Sequence, residues 1–135
     1  MNLAYYMVVF DRATDALWAV LGLGEGYRTQ TGGGTFAVEA HILYRAELLV
    51  GETVTTTIQI LGADTKRVHL GYEMRRGDDV AAQLELMLLH VDLGTRRVTP
   101  FRGVVTSTIA AAAQAHASLT YPGWVGRKIL LAPAG

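Results

Sequence analysis

The sequence predicts an α+β domain in which an antiparallel sheet curls around one central helix. Three observations carry this. The first 22 residues, MNLAYYMVVFDRATDALWAVLG, are apolar at helical spacing and around most of the helical circumference. Four later segments alternate apolar and polar residues and are separated by turn-forming residues. A second helical pattern comes last, so the strands follow one another instead of alternating with helices.

The first helix is expected over residues 2–22. Leu3, Met7, Phe10, Leu17 and Leu21 mark its stripe, and Tyr6, Val9, Ala13 and Val20 widen it. Asp11 and Asp15, four apart, share the remaining side. A helix apolar on most of its girth is expected to be buried on most of its girth. GLGEGY ends it, and TQTGGGT reads as a flexible loop.

A strand near 35–45 follows, with Phe36, Val38, Ala40, Ile42 and Tyr44 alternating against Ala37, Glu39, His41, Leu43 and Arg45. After the turn LLVGE, the β-branched TVTTTIQIL gives a strand near 53–61. The strand near 64–76 sets Val68, Leu70, Tyr72 and Met74 against Arg67, His69, Glu73 and Arg75. RGDD makes a hairpin into a last strand near 80–92, whose alternation is weaker. A helix is expected near 103–119, and the tail YPGWVGRKILLAPAG is irregular. A sheet with one apolar face must cover something, and the first helix is the candidate. That arrangement is the hotdog architecture, here as a single domain over 1–135.

Half of the 135 residues are hydrophobic and 18% are charged, which is lean for a small monomer and points to a buried subunit interface. The formal net charge is zero and no basic stripe is visible, which argues against nucleic acid. There is no cysteine, hence no disulfide or zinc ribbon, and no metal site is expected; this fits a cytoplasmic protein. Asp11, Arg12 and Asp15 interrupt the first helix, so it is not read as membrane-spanning.

The phrases FAVEAHILYRAELLVGETV, LGADTKRVHLGYEM, LELMLLHVD and GWVGRKI resemble the hotdog-fold acyl-CoA thioesterases, and most of all the betainyl-CoA thioesterase branch linked to carnitine breakdown. The resemblance runs over nearly the whole chain. It implies a hydrolase of acyl-CoA thioesters, with a short acyl group such as betainyl. No cofactor is implied other than the coenzyme A carried by the substrate, and the partner implied is a second copy of the chain. Family members have a first strand and an Asp-x-x-Gly-His-x-Asn motif leading into the central helix. Met1 and Asn2 match its last two places, so the sequence reads as the middle of such a fold. The first strand would lie beside TVTTTIQIL, whose edge is therefore expected to be bare.

Thioester hydrolysis needs a polarised carbonyl, a carboxylate that attacks it or activates water, and a grip on the coenzyme. The resemblance places the polarising donors at the helix N-terminus, here the amides of Leu3, Ala4 and Tyr5. Asn2 would cap that helix or orient a water. With the family's aspartate unmatched, the carboxylate is sought among Asp11, Asp15 and Glu39. Asp11 and Asp15 are either catalytic or fill a polar gap in the sheet. Glu39 and His41 share the face opposite the helix, as a solvated surface or a pairing across a dimer. Glu85 and His90, five apart, cannot share a face and read as structural.

Lys66 and Arg67 sit at a hairpin from which the family often holds coenzyme A phosphates; the alternative is an ordinary charged turn. Arg96 and Arg97 are a second choice. A betainyl quaternary ammonium would seek aromatic faces from Tyr5, Tyr6, Trp18, Tyr27 and Tyr44, although aromatics beside a buried helix are usually core. The competing functional reading is a non-catalytic hotdog module that binds an acyl-CoA or another subunit. The joining edge in a dimer is expected to be the strand Phe36–Arg45.

Overall fold

The computed structural model describes residues 2–131. Its elements are α1 (Leu3–Leu21), α2 (Glu25–Thr31), β1 (Gly33–Tyr44), β2 (Thr55–Ala63), β3 (Arg67–Arg76), β4 (Asp79–Asp92) and α3 (Val105–His116). The strands form one antiparallel sheet in the order β1-β4-β3-β2. The α+β sheet-and-helix arrangement is the one expected.

Asn2 starts α1: its Oδ1 accepts the Ala4 N–H at 2.9 Å. Gly22, at φ 84°, ends it in the left-handed conformation open to glycine. The buried stripe is Tyr6, Phe10, Thr14, Trp18 and Leu21, close to an every-fourth-residue ridge. Phe10 meets Tyr72 of β3 edge to face, ring centroids 5.6 Å apart. The strand register brings Val68, Leu70, Tyr72 and Met74 onto the same side as Ala82, Leu84, Leu86 and Leu88. These residues, with Ile60 and α3's Val105 and Ile109, make the core.

Four expectations about individual elements need correction, and one about the sheet edge. First, α1 is not buried around its girth within one chain: Tyr5, Val8 and Val20 are exposed. A single sheet covers one stripe, and among the described residues no second layer lies over the rest. Second, the stretch read as a loop contains α2. Seven residues are too short to show helical periodicity, and this helix is held by Tyr27, buried at its centre, and closed by Gly32 at φ 70°. Third, the turn expected at LLVGE is part of a longer connection between β1 and β2. The two strands occupy opposite edges, and residues 45–54 cross the end of the sheet with Leu48 inserted in the core. Fourth, β1 does not keep one apolar face. Between Ala37 and Glu39 the register slips, leaving Val38 without a partner on β4. A bulge reverses parity, so Thr35 and Ala37 fall on the side of buried His90 and Leu88, while Phe36 falls on the side of Leu89.

The β2 edge is not left bare. α3 packs along it, and His116 Nδ1 accepts the Ile60 N–H at 2.8 Å. The chain then straps across the outer face of the sheet. Trp124 lies over Gly71, where a Cβ would be 3.4 Å from its ring, and the Gly126 N–H donates to Glu85 Oε1 at 2.7 Å. No helix among the described residues is long and apolar enough to cross a membrane.

Candidate active site in the cleft between α1 and β1

Helix α1 touches β1 at two places. Near its start Tyr6 packs edge-on to Tyr44, ring centroids 5.0 Å apart. Near its end Trp18 Nε1 donates to Thr35 Oγ1 at 3.0 Å. Between these contacts helix and strand part, and a cleft of about 240 Å³ opens. Its floor is Leu84, Leu86 and Leu88 of β4 with Ala37 of β1. Its helix wall carries Met7, Asp11 and Asp15, and Arg28 of α2 stands at one end. An apolar slot with two carboxylates one turn apart can hold a short acyl group with its reacting carbonyl beside a carboxylate.

Behind the wall lies a hydroxyl pair that the sequence did not advertise. Thr14 Oγ1 donates back to the Phe10 carbonyl at 3.0 Å and sits 2.6 Å from the Tyr72 hydroxyl. Burial pushes the Tyr72 phenol up to about 12, against the Thr14 hydrogen bond, and the negative charge of Asp11 adds to the rise. Tyr72 is thus a fixed neutral group. Asp11 and Asp15 themselves are exposed at the cleft mouth.

The helix N-terminus is less open than expected. The Ala4 amide is engaged by Asn2 Oδ1, and the Tyr5 amide donates to the Asn2 carbonyl at 3.0 Å. Asn2 therefore acts as an N-cap. Leu3 and Tyr5 are exposed there. Tyr6 is core: its hydroxyl donates to the Ala46 carbonyl at 3.0 Å and accepts the Leu48 N–H at 3.2 Å. Met1, the other place in the motif match, lies outside the described residues.

Glu39 and His41 share the outer face, as their spacing implied, opposite Met87 and Glu85. There they border a cavity of about 280 Å³ with His69, Glu85, Arg127 and Lys128. His69 Nε2 is 2.7 Å from Glu85 Oε2. Burial pushes Glu85 upward, but the Gly126 amide and His69 outweigh it and hold the carboxyl below its usual range. The sheet separates this group from the α1 cleft, so Glu39 cannot act with Asp11 or Asp15 within one chain.

Lys66 and Arg67 lie in the β2–β3 hairpin, where Arg67 pairs with Asp64 at 2.7 Å and Lys66 is exposed. Arg67 is opposite Leu89, at the Gly33 end of the sheet, whereas Tyr6 and the start of α1 are at the Tyr44 end. A 19-residue helix is about 28 Å long. One chain therefore does not bring this hairpin to the helix N-terminus. Arg96 and Arg97 are exposed in the turn after β4, with Arg96 at φ 62°.

His90, read as structural, is fully buried at the Gly33 end. Its Nδ1 faces the Thr99 carbonyl at 2.8 Å, which fixes the proton there. Its Nε2 then accepts from the Tyr27 hydroxyl at 2.7 Å, which in turn accepts the Arg102 N–H at 3.0 Å. Burial lowers the His90 pKa below its ordinary 6.5, outweighing the Thr99 carbonyl. Gly33 has to be glycine, because a Cβ would come within 2.5 Å of His90 Nε2. Beside this relay Arg102 Nη2 meets Asp92 Oδ2 at 2.7 Å and, with the Thr95 and Gly94 amides, holds that carboxyl down to about 2. Tyr27 thus belongs to a buried support for the α2–β1 junction. Among the described residues, no group of three or more His, Cys, Asp or Glu is placed to hold a metal ion.

The comparisons with known proteins point the same way. A betainyl-CoA thioesterase from Pseudomonas aeruginosa is 41% identical over 132 residues, covering 96% of this chain and 83% of the relative. An L-carnitine dehydrogenase/betainyl-CoA thioesterase from Rhizobium meliloti is 32% identical over 92% of this chain, which spans 25% of that longer protein. Among solved structures, a Staphylococcus aureus protein in complex with CoA superposes with TM-score 0.91 at 28% identity, covering 98% of this chain and 84% of its own. A Pseudomonas putida protein described as a thioesterase superposes with TM-score 0.82 at 35% identity, covering 99% of this chain and 86% of its own. With the thioesterase-like model matching residues 1–109, the chain belongs to the thioesterase-like superfamily.

Proposed function

We propose that this protein hydrolyses an acyl-CoA thioester, with betainyl-CoA the leading substrate, in the cleft between α1 and β1. The cleft itself carries the reading: among the described residues, it is where the α1 carboxylates Asp11 and Asp15 border an apolar slot. One carboxylate attacks the thioester carbonyl or removes a proton from an attacking water. The sulfur leaves as the coenzyme A thiolate and takes up a proton. The relatives at 41% and 32% identity support the betainyl group. So does the chemistry of the lining, since a quaternary ammonium is stabilised beside carboxylates such as Asp11 and Asp15 and against an aromatic face such as that of Trp18. The CoA substrate in turn supports work in the cytoplasm.

The active unit in this reading is a homodimer joined through β1. That strand is an open edge, and edge backbone groups favour pairing. Antiparallel pairing of two β1 strands inverts one sheet relative to the other. The partner's Lys66/Arg67 hairpin then falls at the same end as the α1 N-terminus. The two halves of the expected site, apart in one chain, are so brought to one end, with the hairpin offered to the coenzyme A phosphates.

The test is hydrolysis of betainyl-CoA against acetyl-CoA and a medium straight-chain acyl-CoA. Preference for the betainyl thioester in kcat/KM supports the reading. Turnover of none of them would replace it with a non-catalytic acyl-CoA binding role.

A further inference from the structure

The C-terminal strap passes over β1 and carries on. It runs beside His41, Leu43 and Arg45 on the outer side of the strand, with Arg127 and Lys128 over them. At the sheet edge it presents Ile129, 92% exposed, and Leu131, fully exposed. Such residues at the end of an ordered strap are costly in water. The opposite end of the same strand carries a matching apolar patch. Phe36, on the side of Leu89, is 48% exposed, and Leu93 is 44% exposed and lies flat against Gly34, within 3.1 Å of where a Cβ would be.

We infer that Ile129 and Leu131 of one copy dock on the Phe36–Leu93 patch of a second copy. The inference rests on the β1-joined dimer proposed above. Antiparallel pairing about the middle of Gly33–Tyr44 sets the 41–45 end of one strand beside the 33–37 end of the other. The tail leaves its own sheet at the first of these ends, on the outer side. The partner's patch lies at the second, also on the outer side. The two-fold axis makes the exchange reciprocal, so each dimer gains two such contacts. The strap is thereby a clasp between copies, anchored on its own sheet by Trp124 over Gly71 and by Gly126 on Glu85.

The absence of cysteine gives a clean test. The full chain carrying Phe36→Cys and Ile129→Cys is oxidised, with Thr57→Cys and Ile129→Cys as the control on the far edge. Sedimentation is measured for the parent chain and for Ile129→Asp/Leu131→Asp, both exposed positions whose replacement leaves the core intact. The expected results are a dimeric parent, a disulfide between chains for the 36/129 pair but not the control, and a dimer Kd raised at least about tenfold by the aspartates. A dimeric parent with no interchain disulfide, or with one inside a single chain, and an unchanged Kd overturns the clasp while leaving the dimer standing. A monomeric parent at micromolar concentration overturns the dimer, and the clasp with it.

Discussion

The hydroxyls of Thr14 and Tyr72, 58 residues apart, meet at 2.6 Å behind the cleft and tie the central helix to the middle of the sheet. Each is buried, and Thr14 also holds the Phe10 carbonyl. Thr14→Val leaves the Tyr72 hydroxyl in the core without that partner and is expected to cost about 1–3 kcal/mol. Tyr72→Phe, which spares Thr14's bond to Phe10, is expected to cost about 1 kcal/mol. The double variant should cost less than the sum, because no buried hydroxyl is then stranded. Denaturant unfolding of the four proteins measures this.

His90 predicts a pH dependence of stability. Its folded pKa is lowered by burial, so the unfolded chain takes up the proton first. The stabilisation is whole above the ordinary value of 6.5 and is lost as pH falls through the lower folded value. Asp92, held at about 2 against its ordinary 3.8, keeps its stabilisation above 3.8 and loses it as pH falls toward 2, outside that window. Melting temperature should therefore fall from about pH 7 to about pH 5, and the slope should flatten in His90→Gln. An equal slope in both proteins would remove His90 as its source.

Gly33→Ala places a methyl group against the His90 ring. Overpacking of this kind typically costs about 1–3 kcal/mol. Gly62→Ala, where a Cβ meets nothing within 4 Å, is the control and should change little. Thermal melts of the two variants decide it.

Lys66→Glu/Arg67→Glu is expected to raise KM for an acyl-CoA by about tenfold or more at low salt, with kcat largely kept. The difference should shrink as salt rises. Unchanged KM across salt concentrations would place the coenzyme grip elsewhere.

Much of this fold is legible in the sequence, and the illegible parts have physical reasons. Val68, Leu70, Tyr72 and Met74 alternate cleanly, and all four are fully buried. The helix that starts the chain is equally plain. The parity of β1 is not, because Val38 is a bulge, and a bulge leaves no mark in a period-two pattern. The place of β1 at the far edge follows from the family resemblance, since turn residues at LLVGE alone do not say whether the chain reverses or crosses a sheet. Helix α2 hides because its one strong apolar anchor is Tyr27. In the site, Asp11 and Asp15 are visible as a polar interruption of an apolar helix. The cleft in front of them is not, because it exists only where α1 and β1 diverge between Tyr44 and Thr35. The strap over the outer face is unreadable from an irregular tail, although Gly71 and Trp124 meet there.

The central claim is that a carboxylate of the α1 cleft carries thioester hydrolysis, and turnover of betainyl-CoA by Asp11→Asn, Asp15→Asn and the parent chain tests it most directly. Released coenzyme A can be followed by its thiol with no protein cysteine in the background. The account predicts that one of the two variants loses about 10²–10⁴-fold in kcat, the size expected when an attacking or activating group is removed, while its melting temperature stays within a few degrees of the parent's. Parent-like kcat in both variants and in the double variant would contradict it.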